Sequence, residues 1–184
     1  MTLSTRVRSK LAMLGVAGAM LGAAAAATPA AAAQPGATIN FTLSTNNDVT
    51  TIVACPTGTP KNIVICGYAV GTPLTATNTS GDRGLTGTIT ESFVSVLAAP
   101  APTATCAAAM ADHSVVTLQT SKGNILLTTS GSFCTVTGQD VEPFVIVGGT
   151  GEYAGATGSG VVNAQQISPT AASETYTGSL VLAH

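Results

Sequence analysis

Apolar and polar residues alternate along much of the chain after residue 33, which is the pattern of β-strands with one buried face. Between positions 38 and 44, for example, Ile39, Phe41 and Leu43 share one face, and the residues between them are polar. After residue 33, no apolar pattern of period 3.6 persists for three helical turns. Threonine, valine and glycine are frequent there, and the first two are β-branched residues that suit strands.

Eight segments of this kind follow one another at roughly even spacing, separated by breaks that contain glycine or proline. They cover 38–44, 63–70, 85–96, 115–120, 124–129, 144–147, 160–167 and 175–182. This arrangement predicts an all-β domain, either an antiparallel barrel or a sandwich. The stretch 98–110, which contains two prolines, is expected to form an ordered surface loop, with a short helix near 107–112 as an alternative.

The first 33 residues have a different composition. A basic start with Arg6, Arg8 and Lys10 is followed by an uncharged run of about 17 residues and then by small residues that end at Ala33. This order predicts a secretory signal peptide over 1–33, cleaved after Ala33 or, as a second choice, after Ala27. A retained membrane anchor is the alternative, because the run is near the minimum length for a span. We therefore expect a secreted, extracellular single domain over 34–184.

Charge limits the partners of this domain. Residues 34–184 contain three basic and eight acidic residues, so the formal charge is −5. A domain so poor in Lys and Arg has no basic patch for nucleic acid, and none for anionic lipid. We expect neither a nucleic-acid partner nor a membrane contact after cleavage of the signal peptide.

Four cysteines remain in the domain, and an even number in an exported protein predicts disulfides. Three pairings are possible. Cys55–Cys66 with Cys106–Cys134 is favoured, because each bond then closes a short loop between neighbouring strands. A metal site built on Cys and His is not expected, since there is no CxxC motif and the two histidines, His113 and His184, stand alone. No metal or cofactor is predicted.

Glycines cluster after the apolar segment 144–147, at Gly148, Gly149, Gly151, Gly155 and Gly158. Residues 149–154 formally match the GxGxx(G/A) pattern of dinucleotide sites. That motif requires a helix to follow, and here the next residues are glycine-rich and then β-patterned. The glycines are better explained by sharp chain reversal and close backbone approach, with Tyr153 packing on the exposed backbone.

This glycine segment, with 121–127 and 131–133 before it, resembles the allene oxide cyclase barrel-like and dirigent-like families, in particular their exported bacterial members. The specific likeness covers about 40 residues, 121–160. The resemblance implies an eight-stranded antiparallel barrel with an apolar lumen, often forming homo-oligomers. Members include a cyclase of an oxygenated fatty acid and proteins that guide radical coupling. The glycine motif is architectural, so the resemblance assigns no catalytic residue.

Glu91 is the main candidate for chemistry. Alternation over 85–93 places Leu85, Ile89, Glu91 and Phe93 on one apolar face. A carboxyl buried in a lumen has a raised pKa and can transfer protons or orient a bound hydroxyl. The alternative is that the strand leaves the barrel there and Glu91 is solvated. Phe41, Phe93 and Tyr176 either line a ligand cavity with Glu91 or fill the barrel.

Four other acids are expected at the surface. Glu174 starts the last strand and is placed at the rim. Asp140 and Glu142 precede Pro143 and are assigned to an exposed turn, and Asp82 to another turn where local hydrogen bonds hold it.

Three functions follow from these features. The first is a secreted barrel that binds an apolar small molecule in its lumen, with Glu91 as a polar anchor. The second is a cyclase, isomerase or dirigent-like coupling guide that confines a reactive substrate. The third is a structural or surface-interaction protein with a filled core.

Overall fold

A computed structural model of the chain describes residues 36–183. The predicted signal peptide over 1–33 lies outside the described residues. The described residues form strands joined by turns and two short 3-10 helices. No helix in this part of the chain is long and apolar enough to cross a bilayer.

The eight predicted strands are all present, most of them longer than the sequence pattern indicates, and a short additional strand precedes the second of them. The strands are β1 Thr38–Val49, β2 Thr51–Val53, β3 Ile63–Asn78, β4 Gly87–Ala98, β5 Ala109–Thr120, β6 Gly123–Cys134, β7 Gln139–Gly149, β8 Thr157–Ser168 and β9 Ala171–Val181. The two 3-10 helices are Arg83–Leu85 and Gly151–Tyr153.

The sheet closes on itself. Each strand from β3 to β9 pairs with the next in antiparallel orientation, β9 pairs with β1, and β1 pairs with β3 through the register Phe41 to Asn78. β2 adds a short edge to β3 near the end of β1. The prediction of an eight-stranded antiparallel barrel is confirmed, and the sandwich alternative is wrong. Closure leaves none of the long strands with an unpaired edge, because every one has two neighbours.

One half of the lumen is packed with apolar side chains from all around the barrel. The inward residues there are buried and include Ile39, Phe41, Leu43, Leu74, Ile89, Leu118, Ile125, Leu127, Phe144, Ile146 and Leu180. Phe144 stacks on Phe41 with ring centroids 6.2 Å apart. This packing supplies the hydrophobic core that stabilises the fold.

The same half is closed by the turns after β3, β5 and β7. The carboxylate of Asp82 accepts hydrogen bonds from the backbone N–H groups of Gly84 and Leu85, at 2.7 and 3.2 Å, and from the Tyr153 hydroxyl at 3.1 Å. Lys122 Nζ lies 3.3 Å from Asp82 Oδ2 and 2.9 Å from Glu152 Oε2. Tyr153 is fully buried, so these turns plug this end of the barrel.

The glycine segment forms part of this plug. Gly151 has φ +60°, and a Cβ there would lie 2.2 Å from the Lys122 carbonyl oxygen. A Cβ at Gly149 would lie 2.4 Å from the Asn124 carbonyl oxygen and 2.7 Å from that of Tyr153. Both positions therefore require glycine for close backbone approach, one of them also for its conformation. The architectural interpretation of the motif accounts for these contacts.

The opposite end of the barrel is the mouth. Cys55–Cys66 and Cys106–Cys134, the pairing favoured from the sequence, both lie there. They attach the loops before β3 and before β5 to the barrel wall. The predicted loop over 98–110 ends earlier than expected, because β5 begins at Ala109. The short helix considered near 107–112 is therefore wrong.

Replacing Gly151 by alanine tests the plug. The variant must accommodate a left-handed backbone conformation and a clash with the Lys122 carbonyl, so we expect a loss of stability of about 2–4 kcal/mol in urea unfolding. Gly81→Ala is the matched control, because Gly81 also has positive φ, +77°, but no atom within 4 Å of the added Cβ. Equal losses in the two variants would contradict the close approach.

Candidate functional site

The mouth half of the lumen contains a cavity of about 190 Å³. Its apolar wall includes Ile65, Phe93, Leu97, Val116 and Phe133, and its rim is formed by the turns after β1, β6 and β8. The inward side chains at this end are more polar than those of the plugged end, which are apolar and closely packed.

Six of the eight carboxyl side chains after residue 33 face this half of the lumen. They are Asp48, Glu91, Asp112, Asp140, Glu142 and Glu174. None of the basic side chains within residues 36–183 lines the cavity. The remaining two acids, Asp82 and Glu152, pair with Lys122 at the plugged end. The inward acids therefore have no cationic partner.

The first group of acids surrounds Tyr176. Its hydroxyl donates a hydrogen bond to Glu91 Oε1, and both side chains are buried. Asp48 accepts a hydrogen bond of 2.9 Å from the Thr72 hydroxyl. Irregularities in β1 and β3 turn Asp48 and Thr72 inward, where strict alternation would not place both of them. Among the described residues, Glu91 Oε2 has no hydrogen-bond partner.

Burial controls the protonation of this group. Removal from water raises the pKa of Glu91 to about 7, the hydrogen bond from Tyr176 opposes that rise, and the negative charge of Asp48 adds to it. Burial, followed by the charges of Glu91 and Asp48, raises the pKa of Glu174 well above its usual range. The group therefore holds protons near neutral pH, and Glu91 changes charge close to it.

The second group lies on the neighbouring wall. Asp112 of β5 and Asp140 and Glu142 of β7 each bring a carboxylate oxygen within 4.8 Å of the other two. Between them on β6 is Gly131, which pairs with Asp112. A Cβ at Gly131 would lie 2.3 Å from the Val141 carbonyl oxygen and 2.7 Å from Glu142 Cγ, so the glycine lets the β7 backbone and the Glu142 side chain approach β6 closely.

Two of these acids, Asp140 and Glu142, also resist ionisation. Burial and the charge of Glu142 raise the pKa of Asp140 to about 9, and burial and the charge of Asp112 raise the pKa of Glu142 to about 8. The Ser95 hydroxyl donates a hydrogen bond of 2.8 Å to Asp112 Oδ1. Asp140 Oδ1, Glu142 Oε1 and the neighbouring Thr129 Oγ1 are buried without a hydrogen-bond partner among residues 36–183.

The structure distributes the sequence candidates over the lumen. Phe93 and Tyr176 line the cavity. Glu91 lies inside the barrel, fully buried beneath Tyr176, and is not solvated. Phe41 lies deeper, in the apolar half, where it packs on Phe144. Phe41 thus occupies the core and not the cavity wall.

Three acids that the sequence placed at the surface belong to the site. Asp140 and Glu142 are not in an exposed turn, because β7 begins at Gln139 and Pro143 occupies an outward position within it. Glu174 lines the cavity inside the rim. Asp112 precedes the predicted strand 115–120, so the sequence pattern did not assign it to the lumen. Period-two alternation extended back from Phe144 finds Glu142 and Asp140, and extended back from Val116 it finds Asp112.

The sequence and the structure were compared with known proteins. No family model and no curated protein matches the sequence. Two solved pterocarpan synthase dirigent proteins are similar to it. One is 19% identical, with a TM-score of 0.45 over 79% of this chain and 84% of its own. The other is 18% identical, with a TM-score of 0.44 over 83% and 97%.

A third solved structure, of a pyocyanin demethylase, is 12% identical, with a TM-score of 0.36 over 77% of this chain and 98% of its own.

The buried Glu91 predicts a dependence of stability on pH. Its pKa is about 7 in the folded chain and near 4.5 unfolded, so the folded state binds more protons in that window. The free energy of unfolding therefore falls as pH rises from about 4.5 to about 7, by at most about 3 kcal/mol from this group.

Glu91→Gln keeps an acceptor for Tyr176 but cannot ionise. We expect urea unfolding to show that the free energy of unfolding falls less in this variant than in the natural chain between pH 5 and pH 8. Asp48 and Glu174, which belong to the same group of acids, are unchanged in the variant. A difference in stability that is the same at both pH values would contradict the burial of an uncompensated Glu91.

Proposed function

We propose that this chain is a secreted β-barrel protein that binds a small apolar molecule in the mouth half of its lumen. The observation that supports this most directly is the cavity of about 190 Å³, which has an apolar wall and a polar floor at Tyr176, whose hydroxyl donates a hydrogen bond to Glu91 beneath it. Ligand sites combine those features: apolar surface supplies affinity, and a few polar groups fix orientation.

The size of the cavity restricts the ligand. Sites for drug-sized molecules enclose roughly 300–1,000 Å³, whereas an engineered cavity of about 150 Å³ holds benzene. The cavity of this barrel is closer in volume to the one that holds benzene. We therefore propose a ligand of one or two rings, or a longer molecule that extends through the mouth.

The charge of the lumen restricts the ligand further. Six acids without a cationic partner repel an anion whenever any of them is ionised, and when protonated they donate hydrogen bonds. The favoured ligand is therefore neutral or cationic and carries a hydrogen-bond acceptor. A fatty-acid carboxylate does not fit these conditions at neutral pH.

A matched pair of fluorescent probes tests this proposal. N-phenyl-1-naphthylamine is neutral, and 8-anilino-1-naphthalenesulfonate carries the same three rings with a sulfonate, so either probe is expected to place part of its ring system in the cavity and to extend through the mouth. We expect the neutral probe to bind with micromolar affinity and increased emission, and the sulfonate to bind at least tenfold more weakly, because the acids repel it.

Substitution of Ala164, which lines the cavity, locates the binding site. Ala164→Phe should fill the space and abolish binding of the neutral probe. Val161→Phe on the outer face of the same strand is the control and should leave binding intact. Failure of the neutral probe to bind, or binding unaffected by Ala164→Phe, would leave a structural role as the better account.

A second function, proton-transfer catalysis of the isomerase or cyclase kind, is favoured by the Glu91–Tyr176 pair alone. A carboxyl with a pKa of about 7 can both donate and accept a proton near neutral pH. Tyr176 lines the cavity and contacts Glu91, so it would pass the proton between a bound substrate and that carboxyl.

For a substrate turned over in this cavity, Glu91→Gln should lower kcat about 10²- to 10⁴-fold with little change in KM. Tyr176→Phe should have a similar effect, and Glu152→Gln at the plugged end should have none. Steady-state kinetics of the three variants make the comparison. Normal turnover by Glu91→Gln would exclude this mechanism.

Secretion is part of the proposal. Two disulfides, which persist in oxidising compartments, support it together with the predicted signal peptide. The resemblance adds the expectation of a homo-oligomer, for which the exposed valines on neighbouring outer strands, such as Val94 and Val115, offer apolar surface.

A further inference from the structure

We propose that Asp112, Asp140 and Glu142 form a binding site for a divalent cation of the size of Ca²⁺, in the wall of the mouth cavity. This site is separate from the Glu91–Tyr176 pair and does not depend on the proposed small-molecule ligand. It also differs from the sequence expectation, which considered only Cys and His as metal ligands.

The carboxylate oxygens of the three residues are close enough to share one ion. Three carboxylate oxygens, one from each residue, lie within 4.8 Å of one another. Ca²⁺ binds oxygen at about 2.3–2.6 Å, so three ligands spread evenly around it lie about 4.0–4.5 Å apart, whereas for Mg²⁺ that distance is about 3.5–3.6 Å. The three oxygens can therefore contact one calcium ion with little movement.

Buried oxygen atoms at the cluster also lack hydrogen bonds. Thr129 is 4% exposed and Glu142 is 6% exposed, and both line the cavity. The Thr129 hydroxyl faces the Glu142 carboxyl, but neither Thr129 Oγ1 nor Glu142 Oε1 makes a hydrogen bond of normal geometry among residues 36–183. A buried oxygen without a partner is costly, and a cation bound between them would satisfy both.

The third feature of the site is the close approach of β6 and β7. Gly131 separates Asp112 from Glu142 across β6, and a Cβ at this position would occupy the region beside Glu142 Cγ. Glycine in the middle of a strand weakens it unless something approaches closely. Here the backbone of β7 at Val141 and Glu142 approaches closely, so the glycine lets the strand that carries two of the three carboxylates pack near Asp112.

The chemistry of the donors selects the class of metal. All available ligand atoms are carboxylate or hydroxyl oxygens, which favour hard cations. The four cysteines are in disulfides, and His113 is exposed on the outer face of β5. Soft thiolate and imidazole ligands are therefore not part of this cluster.

Calorimetric titration with CaCl₂ and thermal unfolding test the site, using the full chain with both disulfides formed and previously dialysed against EDTA. By comparison with extracellular calcium modules, we expect a Kd of roughly 10⁻⁴–10⁻³ M. At the tighter end of that range, 10 mM CaCl₂ should raise the Tm by about 5–10 °C, and NaCl of matched ionic strength should not.

Variants assign the response to these residues. Asp140→Asn and Glu142→Gln should each abolish the heat of binding and the calcium-induced shift in Tm, and Thr129→Val should weaken binding severalfold. Glu91→Gln, in the other group of acids, and Glu152→Gln, at the plugged end, should retain the full response. Circular dichroism before titration establishes that each variant is folded.

Three results would overturn the proposal. These are no heat and no Tm shift with CaCl₂, a shift that survives in both Asp140→Asn and Glu142→Gln, or loss of the shift in Glu91→Gln alone. An equal response to MgCl₂ would overturn the assignment of a calcium-sized site. Loss of calcium binding with retained binding of the neutral naphthylamine probe separates this site from the small-molecule site.

Discussion

Repulsion among buried carboxyl groups is the constraint on which the mouth half of this barrel depends. Six acids face one lumen without a basic side chain beside them. Charged groups this close in a low-dielectric interior cannot all remain ionised, so they must hold protons, bind a cation or admit water. Each proposed role of the cavity follows from one of these alternatives.

The rest of the fold makes this arrangement tolerable. The apolar half of the lumen, packed around Phe144 and closed by the plug at Tyr153, supplies the burial that stabilises the barrel. Closure of the sheet satisfies the backbone, and two disulfides hold the loops around the mouth. One half of the barrel therefore stabilises the fold, and the other half contains buried acids that lower its stability. Such a division is expected at functional sites.

Much of the barrel could be predicted from the sequence, because alternation is a local property. Ile39, Phe41 and Leu43 show the inward face of β1, and the same count places Glu91 inside β4. The need for glycine at 149 and 151 was also visible, although the close contacts with the carbonyls of Asn124 and Lys122 were not.

The acidic lumen was harder to predict for two physical reasons. Acids next to Pro143 have the composition of a turn, and only the length of β7 shows that they continue its inward face. The meeting of Asp112 with Glu142 depends on the register of three strands, with Gly131 between them. Pairings between distant segments are not encoded in any local pattern, so the cluster emerges only from the closed sheet.

The central claim is that four inward acids, Glu91, Asp140, Glu142 and Glu174, hold protons near neutral pH because they are buried without cations. The most direct test is a pH titration of the side-chain carboxyl ¹³C signals by NMR, in the absence of divalent metal. The account predicts that Glu91 is still protonated at pH 6. At that pH Asp82 should be ionised, because the Gly84 N–H, Tyr153 and Lys122 outweigh its burial and lower its pKa. A Glu91 signal that is fully ionised by pH 5 would contradict the account, since it would show that water or a cation reaches the floor of the cavity.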